Sequence, residues 1–384
     1  MTSAIRCEEL RFTYENGTEP VLNGVDLELP SEQFAVIAGP SGAGKSTFCR
    51  TLNNVIPLFY RGNISGKRFI SGELLQTQPI AVMARKVGMV FQDFEQQLFS
   101  TNAMLELVFS MENFATPLNE MRERLEPLMN AFGLQQLSGR EPASLSGGEK
   151  QKLAIASVIA YRPPILVLDE PTTDLDPESK EFVLRFLPKL KDWVETPLVV
   201  DIETENFRHV DRMFLFNRGK IQGAGTGSEI LTNSSLLEKN ALRPLEIVQL
   251  QEALGMKPAI VNPDIFAEQL NQYELKSIQI DSRSAAQPVF EVSNLSHRYP
   301  GQEMKALDGI NFEIRQGEFV GIIGSNGSGK STLLRHLNGL QLPQDGSVRI
   351  LGKEASQWDR KLLARRVGLV FQNPDHQIFN TTVR

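Results

Sequence analysis

One nine-residue segment occurs twice in this chain, and no other feature restricts the fold as strongly. GPSGAGKST at positions 39–47 returns as GSNGSGKST at positions 324–332, a displacement of 285 residues. Upstream, FTYENG around Tyr14 matches HRYPGQ around Tyr299 at the same displacement. Self-similarity at a fixed offset is typical of a repeated structural unit. The sequence therefore predicts a tandem duplication.

The two copies differ in length. ARKVGMVFQ at 84–92 matches ARRVGLVFQ at 364–372 with a displacement of only 280, so the first copy carries five extra residues, within NNVIPLFYRGNISG. The second copy runs to Arg384, which corresponds to position 104 of the first copy, whereas the first copy continues to about residue 235. We therefore expect the second copy to be truncated, either as a fragment or as a shortened product.

Composition restricts the class of protein. With 384 residues, of which 41% are apolar and 22% charged, the chain is large enough for two or three packed domains. A net charge of −6 argues against a primary nucleic-acid binder, so no nucleic acid is expected among the partners. Cys7 and Cys49 are the only cysteines, which excludes a disulfide framework. No apolar run is long enough to span a bilayer, so we expect a cytosolic chain that acts on membranes through a partner.

The order of elements predicts an α/β fold. Apolar runs at 34–38, 164–169 and 197–201 are typical of buried strands, and helices are expected over 46–53 and 149–161. This alternation favours, in each copy, a mostly parallel sheet flanked by helices.

The domain boundaries follow from the repeat. We place the first domain at residues 1–235 and the N-terminal part of a second domain at 288–384. The linker between them, at 236–287, carries one helical pattern, PLEIVQLQEALG.

Both repeated segments satisfy G-x-x-x-x-G-K-[ST], whose glycines let backbone N–H groups close around phosphate oxygens. Lys45 and Lys330 are expected to reach the β- and γ-phosphates of ATP, and Ser46 and Ser331 to hold Mg²⁺. A glycine-rich turn without a ligand is the alternative, but two copies, each behind an apolar strand, favour nucleotide binding. The other predicted contacts are Gly39, Ser41, Gly42, Gly44 and Thr47 in the first copy and Gly324, Asn326, Gly327, Gly329 and Thr332 in the second.

ILVLDEP places two carboxylates at the end of a buried strand. Asp169 is predicted to bind the metal, and Glu170 to polarise an attacking water. An acidic cap at the strand end is the alternative. It is disfavoured because phosphoryl transfer needs a carboxylate for Mg²⁺ beside such a loop.

LSGGEKQ at 145–151 resembles the signature of the ATP-binding-cassette (ABC) ATPases, and TTDLD at 172–176 resembles their D-loop. The resemblance covers the first copy to about residue 235 and all of the second copy that is present. It implies an antiparallel β subdomain and a helical subdomain that carries the signature. It also implies that two cassettes pair head to tail, within or between chains, so that Ser146, Gly147 and Gly148 contact the nucleotide held by Lys330.

Four further positions take their roles from the same resemblance. Tyr14 and Tyr299 match the aromatic side chain that stacks on adenine, although either tyrosine taken alone would more often be core or surface filler. Gln92 and Gln372 match the glutamine that senses the γ-phosphate, contributes to the metal site and couples to a membrane partner.

The segments FQDFEQQLF (91–99) and FQNPDHQIF (371–379) resemble the FQ-x-x-x-x-Q-[LI]-F stretch of the energy-coupling-factor group, which imports vitamins and transition-metal ions. That resemblance implies a peripheral motor subunit on the cytoplasmic face of the membrane. Its partners would be an integral transmembrane subunit and a separate membrane protein that captures substrate.

Other functions remain to be weighed. A ribosome-acting cassette protein would need a basic linker and a DNA-repair cassette a long coiled-coil insertion, and the sequence has neither. A soluble, non-transport cassette protein with a regulatory role and an inactive truncated product stay open. The sequence carries no information on which vitamin or ion would be transported.

The chain departs from the family at one position. Most cassettes have a histidine that contacts the γ-phosphate after the strand that follows Asp-Glu, and that position is Asp201 here. His209, eight residues later, is a poor substitute. A carboxylate near the γ-phosphate repels the charge that develops during transfer. We therefore hypothesise that the Lys45 site binds ATP but hydrolyses it slowly, and that turnover depends on the Lys330 site.

Overall fold

The computed structural model describes residues 3–76, 78–173, 175–208, 210–270, 286–301, 304–324 and 327–371. Asn326, Gln372 and His209 lie outside the described residues. The chain divides into two units, Met1–Glu274 and Leu275–Arg384, and each is described by itself.

The first unit contains two sheets. Its strands are β1 (Ser3–Tyr14), β2 (Leu22–Pro30), β3 (Ala35–Ala38), β4 (Gly62–Ile70), β5 (Glu73–Leu74), β6 (Val87–Val90), β7 (Ile165–Asp169), β8 (Thr196–Asp201), β9 (Arg212–Asn217) and β10 (Lys220–Gly225). A six-stranded sheet has the order β10-β9-β3-β8-β7-β6 and is parallel except where β10 joins β9. A four-stranded antiparallel sheet has the order β2-β1-β4-β5.

Helices cover the six-stranded sheet. They are α1 (Lys45–Leu52), α2 (Val55–Leu58), α3 (Ile80–Ala84), α4 (Ala103–Asn113), α5 (Leu118–Phe132), α6 (Gly147–Ile159), α7 (Pro177–Phe186), α8 (Gly227–Leu231), α9 (Ser234–Lys239), α10 (Glu246–Ala253) and α11 (Pro263–Leu270). Every residue of β3, β6, β7 and β8 is buried, as expected for parallel strands covered on both faces.

Alternate residues of β3 divide between two cores. Val36 and Ala38 join the core that also holds the buried residues of α4 and α6. Ala35 and Ile37 join the core formed with the antiparallel sheet and α1. This period-2 alternation fixes β3 between a helical layer and the antiparallel sheet.

The register brings the predicted chemistry to one edge of the sheet. Ala38, at the end of β3, pairs with Asp201, and Asp169, at the end of β7, pairs with Val200. The glycine-rich loop follows β3, so loop and carboxylates all lie at the carboxyl ends of neighbouring strands, where ligands bind in open α/β sheets.

The segment predicted as a linker is more ordered than one helix requires. Leu242, Leu245, Val248 and Val261 are buried in the first core, and both α10 and α11 lie within 236–287. The compact first unit extends to Glu274, beyond the predicted boundary at residue 235. The cause is the apolar face of α10, which packs onto the cassette rather than connecting two cassettes freely.

The second unit contains β11 (Pro288–His297), β12 (Leu307–Arg315), α12 (Lys330–Leu337), β13 (Asp345–Ile350), β14 (Lys353–Glu354) and α13 (Arg360–Ala364). Its sheet has the order β12-β11-β13-β14, which is the order of the antiparallel sheet in the first unit.

One expectation is wrong for the second unit. A parallel sheet was predicted in each copy, yet the described residues of the second unit contain none, and the segment that corresponds to β3 is not in a strand. Ile323 in that segment is 92% exposed. The reason is that the sequence contains no second counterpart of β7, β8 and β9, so this segment has no neighbours with which to pair. In the part of the chain that is described, no helix is long and apolar enough to cross a membrane.

Candidate nucleotide-binding site

Lys45 lies at the centre of the site. Its Nζ donates to the carbonyl oxygens of Gly39 at 2.8 Å and Pro40 at 3.0 Å, and lies 3.5 Å from Oε1 of Glu170. The side chain is only 3% exposed. The ammonium therefore stays inside the loop, where a phosphate that entered would meet it without water between them.

Two glycines of the loop are demanded by close packing. A Cβ at Gly39 would lie 2.0 Å from the carbonyl oxygen of Phe216. Gly44, the N-cap of α1, has φ of 102° and would bring a Cβ to 2.8 Å from the carbonyl oxygen of Val21. Gly42, with φ of 76°, is exposed, as is Ser41. The loop therefore lets backbone N–H groups approach an anion at the start of α1.

Asp169 has the environment of a metal ligand. Oδ1 accepts a hydrogen bond from Oγ of Ser46 at 3.0 Å, whereas Oδ2 is buried and has no hydrogen-bond partner. Burial raises the pKa of Asp169, the Ser46 hydrogen bond opposes that rise, and the carboxylate of Glu170 adds to it. A buried, unsatisfied carboxylate oxygen beside a serine hydroxyl fits Mg²⁺, which takes hard oxygen ligands and would stabilise the ionised form.

Glu170 is held by three neighbours. Besides Lys45, Nε2 of Gln92 donates to Oε2 of Glu170 at 2.9 Å, and Oγ1 of Thr173 donates to the same oxygen at 3.4 Å. The backbone of Glu170 has φ of 50°, a left-handed conformation that costs energy for a residue with a side chain. Strain of this kind persists where the surroundings fix one geometry, and here it aims the carboxylate at the loop.

Asp201 does not stand as a free carboxylate in the site. Oδ1 accepts from the backbone N–H groups of Ile202 at 2.7 Å and Glu203 at 3.0 Å, and Oδ2 accepts from Oγ1 of Thr172 at 3.0 Å. Burial raises the pKa of Asp201, and these three hydrogen bonds act against that rise. The side chain therefore caps the turn that follows β8 and ties it to the segment after β7.

The predicted adenine-stacking tyrosine lies next to the loop. The hydroxyl of Tyr14 and Oγ1 of Thr47 are 3.0 Å apart. In the second unit the hydroxyl of Tyr299 and Oγ1 of Thr332 are 3.1 Å apart. In both units the bond attaches the ring to the helix that begins with the predicted phosphate-binding lysine.

Ser146, Gly147 and Gly148 form the start of α6. Ser146 accepts from the N–H of Glu149, and the Glu149 carboxylate accepts from the N–H of Ser146, so the two residues form a capping box. Ser146 and Gly147 are exposed. A Cβ at Gly148 would lie 1.8 Å from Oγ of Ser179, so only glycine fits there. The exposed N-terminus of α6 leaves backbone N–H groups available to an anion.

The second unit repeats part of this arrangement. Nζ of Lys330 donates to the carbonyl oxygen of Gly324 at 2.7 Å. Gly329 has φ of 94°, and a Cβ there would lie 2.2 Å from the carbonyl oxygen of Ala306. Gly327 also has a positive φ, and Ser331 is exposed. The predicted contacts Asn326 and Gln372 lie outside the described residues.

Thr172 and Thr173 are site residues whose contacts the sequence analysis did not identify. They contact Asp201 and Glu170, respectively. The available signal was two hydroxyl side chains directly after Asp-Glu-Pro, at the end of the strand that carries the carboxylates.

Comparison with known proteins adds independent findings. The sequence model of the ABC transporter family matches residues 22–173 and 307–384. A Caldanaerobacter subterraneus subsp. tengcongensis protein named as an ABC transporter ATP-binding protein is 40% identical over 392 residues, covering 98% of this chain and 69% of the relative. A Methanosarcina mazei protein with the same description is 35% identical over 402 residues, covering 99% of this chain and 68% of the relative.

Solved structures resemble the chain as well. The structure of cbiO1 from Clostridium perfringens, described as part of the ABC transporter complex cbiONQ, is 26% identical with a TM-score of 0.55. That match covers 66% of this chain and all of cbiO1. An ATP-bound bacterial Atm1-family ABC exporter, 22% identical with a TM-score of 0.52, shares the fold.

Proposed function

The chain belongs to the ABC transporter ATP-binding family and is an ATPase subunit of a transporter, and from that premise we propose that it drives import of the energy-coupling-factor type. The proposed cargo is a vitamin or a transition-metal ion, captured by a separate membrane protein. The likeness to cbiO1 and the FQ-x-x-x-x-Q-[LI]-F segments, of which Gln92 contacts Glu170, support this type.

The site geometry suggests how the first cassette would act. Lys45 is held by carbonyl oxygens of its own loop and by Glu170, so a γ-phosphate that enters would replace these partners. Glu170, released from the lysine, would then accept a proton from the attacking water. Ser46 and Asp169 would hold Mg²⁺, which neutralises charge on the phosphates when it is bound.

We propose that both repeats take part. Tandem duplication and head-to-tail pairing would bring Ser146, Gly147 and Gly148 to the nucleotide held by Lys330, with Tyr14 and Tyr299 on the two adenines. Whether the two cassettes come from one chain or from two, each site would then draw on both copies. The equal strand order of the two antiparallel sheets supports the duplication.

The cycle would reach the membrane through the surface beside Gln92. A groove of about 320 Å³ there is lined by Val55, Phe59, Tyr60 and Phe91, among others, and Phe59 is 71% exposed. Apolar side chains open to solvent beside a nucleotide sensor suit a helix of the transmembrane subunit. The chain would then sit peripherally on the cytoplasmic face.

Isolation from native membranes tests the proposal. The tagged chain, extracted in mild detergent, should bring with it two integral membrane proteins in fixed proportion, and ATP should dissociate none of them. Reconstitution should then give ATP-dependent uptake that Glu170→Gln abolishes. Co-purification with water-soluble partners alone would instead favour a regulatory cassette protein, and failure to bind ATP would favour an inactive product.

A further inference from the structure

The side chain of Gln97 is bonded to the backbone of the strand that leads to Gln92. Nε2 of Gln97 donates to the carbonyl oxygen of Met89 at 3.0 Å, and Oε1 accepts from the N–H of Phe91 at 2.8 Å. One primary amide thus satisfies a carbonyl and an N–H that are two residues apart.

Those two backbone groups belong to the free edge of the six-stranded sheet. β6 is the last strand in the order, with β7 on its other side. The carbonyl oxygen of Lys86 faces β7, since it accepts from the N–H of Ile165, so odd-numbered residues of β6 face away from β7. Met89 and Phe91 therefore present the groups that another parallel strand would bond. The Gln97 amide takes the place of that strand.

The bond to Phe91 fixes the backbone directly before Gln92. From there, Gln92 reaches Oε2 of Glu170. The far end of the same segment is held by Glu106, which is 3% exposed and whose Oε2 accepts from the N–H groups of Phe99 at 3.1 Å and Ser100 at 2.8 Å. Gln97 is therefore the tie nearest to Gln92 in a segment that is held at both ends.

We propose that Gln97 is a positioning residue that holds Gln92 where it detects a γ-phosphate, so that the Lys45 site binds ATP in preference to ADP. The inference rests on the proposed function, because it needs a nucleotide at Lys45. The second copy has a glutamine at the same distance from Gln372, Gln377, which lies outside the described residues.

Nucleotide affinities of the whole chain provide the test. In a Lys330→Ala background, which leaves the Lys45 site alone to be read, calorimetry with Mg·ATP and Mg·ADP gives the ratio of the two dissociation constants. Gln97→Met keeps the length of the side chain but removes both hydrogen bonds. We expect it to lower the preference for ATP by about fivefold to tenfold, on the scale of one or two lost bonds, with little change for ADP.

Three further variants separate positioning from simple support of the fold. Gln97→Glu can accept from Phe91 but does not donate to Met89, so it should give a smaller loss. Gln96→Met is the matched control, because the exposed Gln96 bonds Asp93 rather than the strand. In a Gln92→Ala background, Gln97→Met should cost no further ATP preference, because the residue it positions is absent.

The outcomes are distinguishable. Equal weakening of ATP and ADP, or a lower melting temperature with an unchanged ratio, would show that Gln97 only supports the fold and would overturn the inference. An unsubstituted chain that binds neither nucleotide would overturn the proposed function and this inference together. A chain that binds both nucleotides without preference would overturn the sensing role alone.

Discussion

Asp201 is a buried carboxyl whose charge the fold does not welcome. Burial raises its pKa above the unfolded value, so the folded chain binds that proton more tightly than the unfolded chain does. The stability contributed by the group is therefore complete below the unfolded pKa and is lost as pH rises through the folded pKa. At neutral pH the ionised side chain costs stability, in spite of its bonds to Thr172 and to two backbone N–H groups.

Asp201→Asn should therefore stabilise the chain at neutral pH. The amide oxygen can still accept from Ile202 and Glu203, and the amide nitrogen can donate to Thr172. We expect a melting temperature higher by about 2–4 °C, the shift that corresponds to roughly 1 kcal/mol. Scanning calorimetry from pH 7.5 to pH 5 should show this advantage shrinking as Asp201 of the unsubstituted chain takes up its proton. Asp192→Asn, at an exposed position, is the control, and an advantage that did not change with pH would contradict the prediction.

The same substitution examines the missing histidine. If the carboxylate repels a γ-phosphate, Asp201→Asn should also tighten ATP binding at the Lys45 site more than ADP binding, because only ATP carries the additional charge. The effect should fade at lower pH, in parallel with the change in melting temperature. A tighter affinity for both nucleotides to the same degree would instead point to a change in the turn after β8.

At the scale of elements, α10 is fastened to its surroundings by one polar side chain. Gln251 is 1% exposed; its Nε2 donates to the carbonyl oxygens of Ile247 and Ile260, and its Oε1 accepts from the N–H groups of Ala259 and Ile260. Replacing it by leucine would leave buried backbone groups unpaired, at a cost of about 1–3 kcal/mol. Urea unfolding should show the loss for Gln251→Leu, whereas Gln249→Leu, on the exposed side of α10, should be nearly neutral.

Sequence patterns predicted the elements better than their contacts. The strands at 34–38, 164–169 and 197–201 and the helix of PLEIVQLQEALG appear within one or a few residues of the expected positions, because each is determined by local periodicity. The packing of that helix on the first unit was not predicted, because an amphipathic helix does not specify which surface will cover its apolar face. Gln251 looked like an ordinary polar residue for the same reason.

The site divides in the same way. The loop lysine, its serine and the two carboxylates were identified from spacing alone, since phosphate chemistry needs those residue types together. The bond between Thr172 and Asp201 joins residues 29 positions apart, and the Gln97 contact depends on which strand lies at the sheet edge. Both require the strand order, which no local pattern supplies.

The whole molecule is asymmetric in its chemistry. The first copy contains Asp169, Glu170 and the signature, yet it has Asp201 where a histidine is expected. The second copy, as far as this sequence extends, supplies a loop built on Lys330 with the same tyrosine contact as in the first copy. In the proposed head-to-tail pair, the Lys330 nucleotide would meet the signature of the first copy. That arrangement makes the Lys330 site the main source of turnover and the Lys45 site mainly a binding site.

Single substitutions of the two lysines decide whether the sites are unequal. In the assembled transporter, Lys330→Ala should lower ATP turnover by about 10²-fold or more, the usual effect of removing one preorganised donor to the transition state. Lys45→Ala should leave most turnover intact while removing one of two bound nucleotides, as counted with radiolabelled ATP. Lys305→Ala, at a surface ion pair with Asp308, serves as the charge-matched control. Loss of turnover in Lys45→Ala with near-normal turnover in Lys330→Ala would reverse the assignment. Equal losses would mean that the two sites act as one unit and that Asp201 does not slow the first.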